Sequence, residues 1–485
     1  MKHAVTSPFN RMFLTISGLC MAVLIVATPY IISTISIKGF YIPSKYSYLI
    51  DFVLIAFLLL LYPALKWIIR TVRTWELSMS YLFFLPVFIH IFIAGLRLNL
   101  STYILILYIV VYPLLVYLKK IDKIIITPLF YFIIVHFVIG NISLLGPHSI
   151  SLLTTYSALL TLNIKLALVF LVLNSLITGN ELKLFIRLFI VMCIFTSFVA
   201  LAQLGIFYLT GVNYSYVIAG ARKVVYSPFG VYPRVSGIFM HPIVMATNIS
   251  VMFMMLLYSL LSPQFFSKRQ RNIILALLGL MLIPLFLSTA RGTWVAMAFG
   301  SIPIFFMKKP HLFIHKILLL LIVVFVSYIT GLLNYGYDLL VSINKYSVDA
   351  RYGVFALGLL AIKSNPILGY GLFNFQNYTG NIWKYAVHST PFQVWSETGV
   401  LGLISYECIA VYVIWRVLKQ LRKTLLPKNR FVLEAYFVAL VTLIINGAFQ
   451  TLAWASFTFI FFALGEVVVR IVKANEELGK ELDLI

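Results

Sequence analysis

Several arginines in this 485-residue chain stand where a charge asks for a chemical reason. Arg291 lies in the tight turn Ser288-Thr289-Ala290-Arg291-Gly292, between two apolar runs that small neutral residues would have joined equally well. Arg234, in Tyr232-Pro233-Arg234-Val235-Ser236-Gly237, opens another apolar run, with Arg222 and Lys223 a short way upstream. Arg351 and His388 fall in a long polar-rich segment further on. A guanidinium offers a planar fork of donors that matches phosphate oxygens and keeps its charge at any working pH. A histidine ordinarily titrates near neutrality, so His388 is a candidate general base. Together these types point to a phosphate-bearing anionic ligand and a proton transfer. Plainer readings stand beside these. Arg291 and Arg234 can snorkel to a membrane interface or cap a helix, and an isolated histidine such as His388 can be a structural hydrogen-bonding group.

The elements that must hold these residues are helices in a bilayer. Hydrophobic residues make up 62% of the chain and charged residues only 11%, against about 25% charged in an ordinary soluble domain. Apolar stretches of roughly 20 residues recur, each long enough to cross about 30 Å of hydrocarbon, whereas a closed barrel would show short alternating segments. Spans are expected near 12–35, 48–69, 78–96, 102–118, 122–140, 152–177, 184–209, 236–261, 272–288, 292–307, 314–334, 397–416, 431–449 and 451–470. The last pair is divided only by Asn446, Gly447 and Gln450. The fold class is therefore an all-α polytopic membrane protein with about 12–14 transmembrane helices. The first stretch lacks a small-residue cleavage site and is expected to remain a helix.

Lys and Arg collect on the cytoplasmic side of inner membranes. Here they gather on every second connection, for example at Lys119, Lys120 and Lys123, at Lys268, Arg269 and Arg271, and between Arg416 and Arg430. Both termini are then cytoplasmic, and the arginines above face outward. This placement also accounts for the net charge of +23 without a nucleic-acid partner. Cys20, Cys193 and Cys408 fall in apolar stretches with no paired spacing, as packing residues do. Lys165 lies within a span, and no role follows for it from sequence.

Two outward segments are long, 210–235 and 335–396; the second exceeds an ordinary connection and suggests a functional loop, with helical spacing over 346–364. The expected organisation is N-terminal helices over 1–209, a core with Arg-bearing external segments over 210–334, an external loop over 335–396, and C-terminal helices with a cytoplasmic tail over 397–485. External carboxylates (Asp51, Asp338, Asp349 and Glu397) form no paired motif for a divalent metal, so no metal or other cofactor is expected.

At these residues the chain resembles the bacterial O-antigen ligase family, which includes related polysaccharide polymerases. Ser288-Thr289-Ala290-Arg291-Gly292-Thr293-Trp294 is similar to the family's Ser-x-Ser/Thr-Arg-Gly block, and Arg234 with Gly237, followed by Phe239-Met240-His241-Pro242, to its Arg-x-x-Gly block. The most specific block is Asn365-Pro366-Ile367-Leu368-Gly369-Tyr370-Gly371 and then His388-Ser389 through Gly399 and Gly402. The likeness covers roughly 232–409.

The resemblance implies a GT-C-type glycosyltransferase without a metal, working at the outer face of the bacterial inner membrane. Arg234 and Arg291 would engage the diphosphate of an undecaprenyl diphosphate-linked glycan donor, and His388 would be the essential loop histidine. Arg222, Lys223, Arg351, Ser389 and Glu397 are further candidates for substrate binding, Glu397 also as an alternative base or as the group that orients His388. The acceptor would be lipid A-core for a ligase or a growing glycan for a polymerase, with membrane lipids around both. A lipid-linked oligosaccharide flippase is the competing class. It would need polar residues lining a path between helices, whereas here they concentrate outside.

Overall fold

A computed structural model describes residues 90–93, 96–99, 125–144, 165–166, 168–170, 172–211, 224–227, 230–239, 241–307, 345–377, 381 and 386–482. All of them fall within one compact unit, 80–485. The spans expected near 12–35, 48–69, 102–118 and 314–334, most of 152–177, and the side chains of Arg222, Lys223 and Asp349 lie outside the described residues.

Among the described residues, five helices are long and apolar enough to cross a membrane: α2 (Gly179–Thr210), α3 (Pro242–Leu260), α4 (Lys268–Leu287), α8 (Thr390–Leu421) and α9 (Pro427–Phe449). Shorter helices are α1 (Pro128–Ser143), α5 (Arg291–Gly300), α6 (Ile302–Met307) and α7 (Lys345–Ser364), and α10 (Ser456–Glu477) closes the bundle. The chain is an all-α polytopic membrane protein. Where described, the expected spans and the helices coincide in order, and the helical spacing at 346–364 becomes α7.

Local chemistry fixes several ends. Thr178 with Glu181 and Ser267 with Gln270 form capping boxes that start α2 and α4. Gly211, with φ at +71°, ends α2. Pro128, Pro242 and Pro427 sit in first turns, where the missing N–H costs nothing.

Two short hairpins interrupt the helical pattern. β1 (His90–Ile93) pairs with β2 (Leu96–Asn99), within and beyond the span expected near 78–96. Ile93 and Leu96 flank the two residues Ala94 and Gly95 in sequence, and a glycine in so short a connection favours a tight hairpin over a continuous helix. β3 (Val224–Ser227) pairs with β4 (Gly230–Pro233), so Arg234 emerges directly from a strand end. The start of α8 also differs from expectation. It begins at Thr390, seven residues before 397, because Ser389 stands in extended backbone at its N-cap and Pro391 lies in its first turn.

α9 sits at the centre, packed on α3, α5, α8 and α10. A buried polar network ties these helices where they approach the arginines. Gln450, 1% exposed, donates to Thr293 Oγ1 on α5 (2.6 Å) and Asn446 Oδ1 on α9 (3.2 Å), and accepts from Thr247 Oγ1 on α3 (3.0 Å). Its backbone carbonyl accepts from Thr390 Oγ1 on α8 (2.8 Å), and Asn446 donates to Ser250 Oγ on α3 (3.1 Å). In an apolar interior such amides hold together only when their partners are supplied, so the network fixes the relative register of four helices.

Candidate active site

The turn before α5 is built to present Arg291. Thr289 has φ of +51°, an uncommon and strained conformation for a β-branched residue. It is held there by several bonds at once. Ser288 Oγ donates to Leu285 O (2.7 Å) and accepts from Ala290 N (3.2 Å), and Thr289 Oγ1 donates to Ser288 O (2.8 Å). Trp294, stacked on Phe286 with centroids 5.7 Å apart, donates its indole N–H to Leu285 O (3.1 Å). Arg291 is consequently the first residue of α5, two positions before the Thr293 that Gln450 anchors.

Arg234 reaches the same turn, donating Nε–H to Ser288 O at 2.8 Å. The loop that carries it is clamped by a glutamine from α2. Gln203 Oε1 accepts from the backbone N–H groups of Ser236 and Gly237 (both 3.0 Å), and its Nε2 donates to Gly237 O (2.9 Å).

α7 brings Arg351. Val354, Ala361, Phe375 and Val387 form a buried cluster joined by Leu357 and Phe392, and Phe355 and Phe392 pack with centroids 4.4 Å apart. This seats α7 on the start of α8, beside His388. Arg351 Nε is buried without a hydrogen-bond partner among the described residues. Thr451 Oγ1 donates to Val387 O (2.8 Å) and Leu452 N donates to Thr390 Oγ1 (2.9 Å), so the His388 segment is pinned from both sides. Ser389 occupies the N-cap of α8.

The electrostatics tie these residues into one cluster. Burial first, then Arg351, His241 and Arg234, push His388 down to about 3. His241 is lowered to about 4 by burial, Arg234 and Arg351. Arg234 falls to about 10 through burial and then Arg351 and Arg291, and so stays charged at neutral pH. Arg351 is lowered by burial and Arg291, and Arg291 by burial. The charged neighbours Arg351 and Arg234 are both cationic. Three guanidinium groups and two neutral imidazoles thus face one region, an arrangement whose mutual repulsion an anion would relieve.

Glu397 is placed apart from this cluster. It is 1% exposed and accepts from Gln393 Nε2 (3.1 Å) and Trp454 Nε1 (2.7 Å). Lys165 is its nearby counter-charge, donating to the Trp454 carbonyl and lying 5.5 Å from the Phe373 ring centroid. The Asn365–Gly371 block clasps the same place. Tyr370 N and Gly371 N donate to the carbonyls of Ser396 and Glu397, and Val400 N to Pro366 O. Gly399 breaks the helical path of α8 with φ of +69°, where a Cβ would fall 1.9 Å from Ile367 O. The motif residues around Gly369 and Gly399 therefore shape a kink in α8.

The electrostatics link the candidates Arg234, Arg291, Arg351 and His388, Glu397 is instead tied to Gln393, Trp454 and Lys165, and His241, Gln203 and Gln450 are contributors that sequence reasoning did not single out. His241 was visible in Phe239-Met240-His241-Pro242 as a polar residue before a helix-starting proline. The two buried glutamines gave no signal beyond interrupting apolar runs.

The O-antigen ligase family model matches residues 276–406, a segment that includes Arg291, Arg351 and His388 and stops short of Arg234 and His241. Comparison with curated proteins gives no match. The resemblance first carried by the three sequence blocks is thus borne out over this segment: residues 276–406 match the model of the O-antigen ligase family.

Proposed function

We propose that this protein transfers a glycan from an undecaprenyl diphosphate-linked donor to an acceptor hydroxyl at the outer face of the cytoplasmic membrane, as an O-antigen ligase with lipid A-core as acceptor. The observation that carries this reading is the electrostatic cluster in which Arg351 and Arg234 act on His388 and Arg291 acts on both arginines. Breaking the bond between sugar C1 and the diphosphate oxygen leaves the electron pair on that oxygen. Guanidinium groups already in place stabilise the developing charge without reorganising. The acceptor oxygen forms the new bond to C1 and gives its proton to a ring nitrogen of His388, which is neutral and able to accept. That histidine is a poor base while the site is empty. Filling the site with diphosphate offsets the surrounding positive charge and raises its basicity, so the base strengthens when the substrate is present. The start of α8, held through Thr390, and the pinned Val387 carbonyl fix the His388 backbone while the lipid tail lies among the helices.

The test is to incubate purified protein with lipid-linked donor alone and with donor plus lipid A-core, and to separate the products by mass. A ligase yields glycosylated lipid A-core with release of undecaprenyl diphosphate. Lengthened chains from donor alone would instead identify a polymerase of the same chemistry, and no glycan transfer in either mixture would overturn the reading.

A further inference from the structure

A second histidine stands in the arginine cluster with the opposite hydrogen-bonding polarity to a base. His241 is the N-cap of α3, and its Nδ1 accepts the backbone N–H of Ile243 at 3.2 Å. A backbone amide can only donate, so Nδ1 must hold a lone pair, and in the neutral ring the proton is then on Nε2. Part of its surface is open although the ring is largely surrounded by protein, and its charged neighbours are Arg234 and Arg351. Desolvation first, and then those two cations, keep the ring neutral through the physiological range. His241 therefore carries one fixed N–H, on Nε2, and no free acceptor, within the electrostatic cluster of Arg234 and Arg351. We propose that His241 is a further catalytic residue, whose Nε2–H donates a hydrogen bond to the departing diphosphate; this rests on the glycosyl-transfer reading above. The two histidines then divide the work: His388 takes the acceptor's proton and His241 steadies the leaving group. A fixed neutral donor adds direction at the leaving oxygen that point charges alone do not supply, and it adds no further repulsion to the empty site.

The capping and donating roles can be separated by substitution. In His241→Asn the shorter side chain still caps α3, since Asn is among the preferred N-cap residues, but its amide cannot reach as far as Nε2. In His241→Gln the amide nitrogen falls near the position of Nε2, while the cap is lost. Purified full-length variants are assayed for kcat and KM with an undecaprenyl diphosphate-linked glycan and acceptor, and melting temperatures are measured alongside, with Arg291→Ala in parallel. The expected result is a kcat about 10²-fold lower for His241→Asn at an unchanged melting temperature, with His241→Gln recovering most of the lost kcat despite a lower melting temperature. Wild-type kcat in His241→Asn would overturn the donor role, as would equal losses in both variants tracking their melting temperatures. Full transfer by Arg291→Ala would instead remove the diphosphate reading on which the proposal rests, so the two failures are distinguishable.

Discussion

At the scale of single residues, the cluster is costly to the protein and useful to an anion. Burial and neighbouring cations work against the charges of Arg234 and Arg351 and against protonation of both histidines. Arg234→Ala and Arg291→Ala should each lower glycan transfer by about 10²- to 10³-fold with expression retained, read as initial rates on purified protein. The pH profile has a definite sign. His388 is held well below its ordinary value, so in the free enzyme its basic form persists into acid, and the acid limb of kcat/KM lies far below pH 6. Bound diphosphate offsets the cations, so the acid limb of kcat should lie at higher pH than that of kcat/KM. Arg351→Ala removes the largest charge acting on His388 and should move the kcat/KM limb upward; a limb unmoved by that substitution would count against the assignment. These charged residues were legible in sequence because a guanidinium in an apolar chain is conspicuous. His241 was not, since its importance lies in which ring nitrogen the backbone of Ile243 occupies.

At the scale of elements, the site is assembled by contacts between helices distant in sequence. Gln450→Leu leaves Thr293 and Thr247 buried without their amide partners. An unsatisfied buried polar group costs about 1–3 kcal/mol, so a markedly lower melting temperature is expected, and transfer should fall with it as α5 and α8 lose register. Gly399→Ala should be worse tolerated than alanine at an ordinary helical site. A Cβ there would meet Ile367 O at 1.9 Å in a backbone conformation that side chains resist, and the measure is the yield of folded protein after detergent extraction. Hydropathy located the helices that carry these residues because each apolar run is long and bounded. It did not reveal the kink at Gly399, the earlier start of α8 or the β1–β2 hairpin, which depend on backbone dihedrals and cross-strand pairing rather than on mean apolarity. Glu397 illustrates the same limit. In sequence it was one carboxylate in a presumed external segment, whereas folding buries it against Trp454 and Lys165.

At the scale of the whole molecule, charge is distributed unequally between the two ends of the helices. Toward the C-terminal end of α8, Arg416 pairs with Glu466 at 2.8 Å, Arg430 pairs with Glu434 at 3.0 Å, and Asn429 binds Glu476. At the N-terminal end of α8 the arginines and histidines gather instead. This asymmetry accords with the alternation of basic connections and with an outward-facing site. In a background lacking the native cysteines, Gln376→Cys should react with an impermeant thiol reagent from outside intact spheroplasts and Lys423→Cys only after permeabilisation; the reverse pattern would invert the orientation. The central claim is that the arginine cluster receives a diphosphate, and binding tests it most directly. Affinities of purified protein for a short-chain polyprenyl diphosphate and the corresponding monophosphate should differ by about tenfold or more, equivalent to about 1.4 kcal/mol, with the preference lost in Arg234→Ala and Arg291→Ala. Equal affinity for the two lipids, or a diphosphate preference undiminished in both variants, would contradict the account.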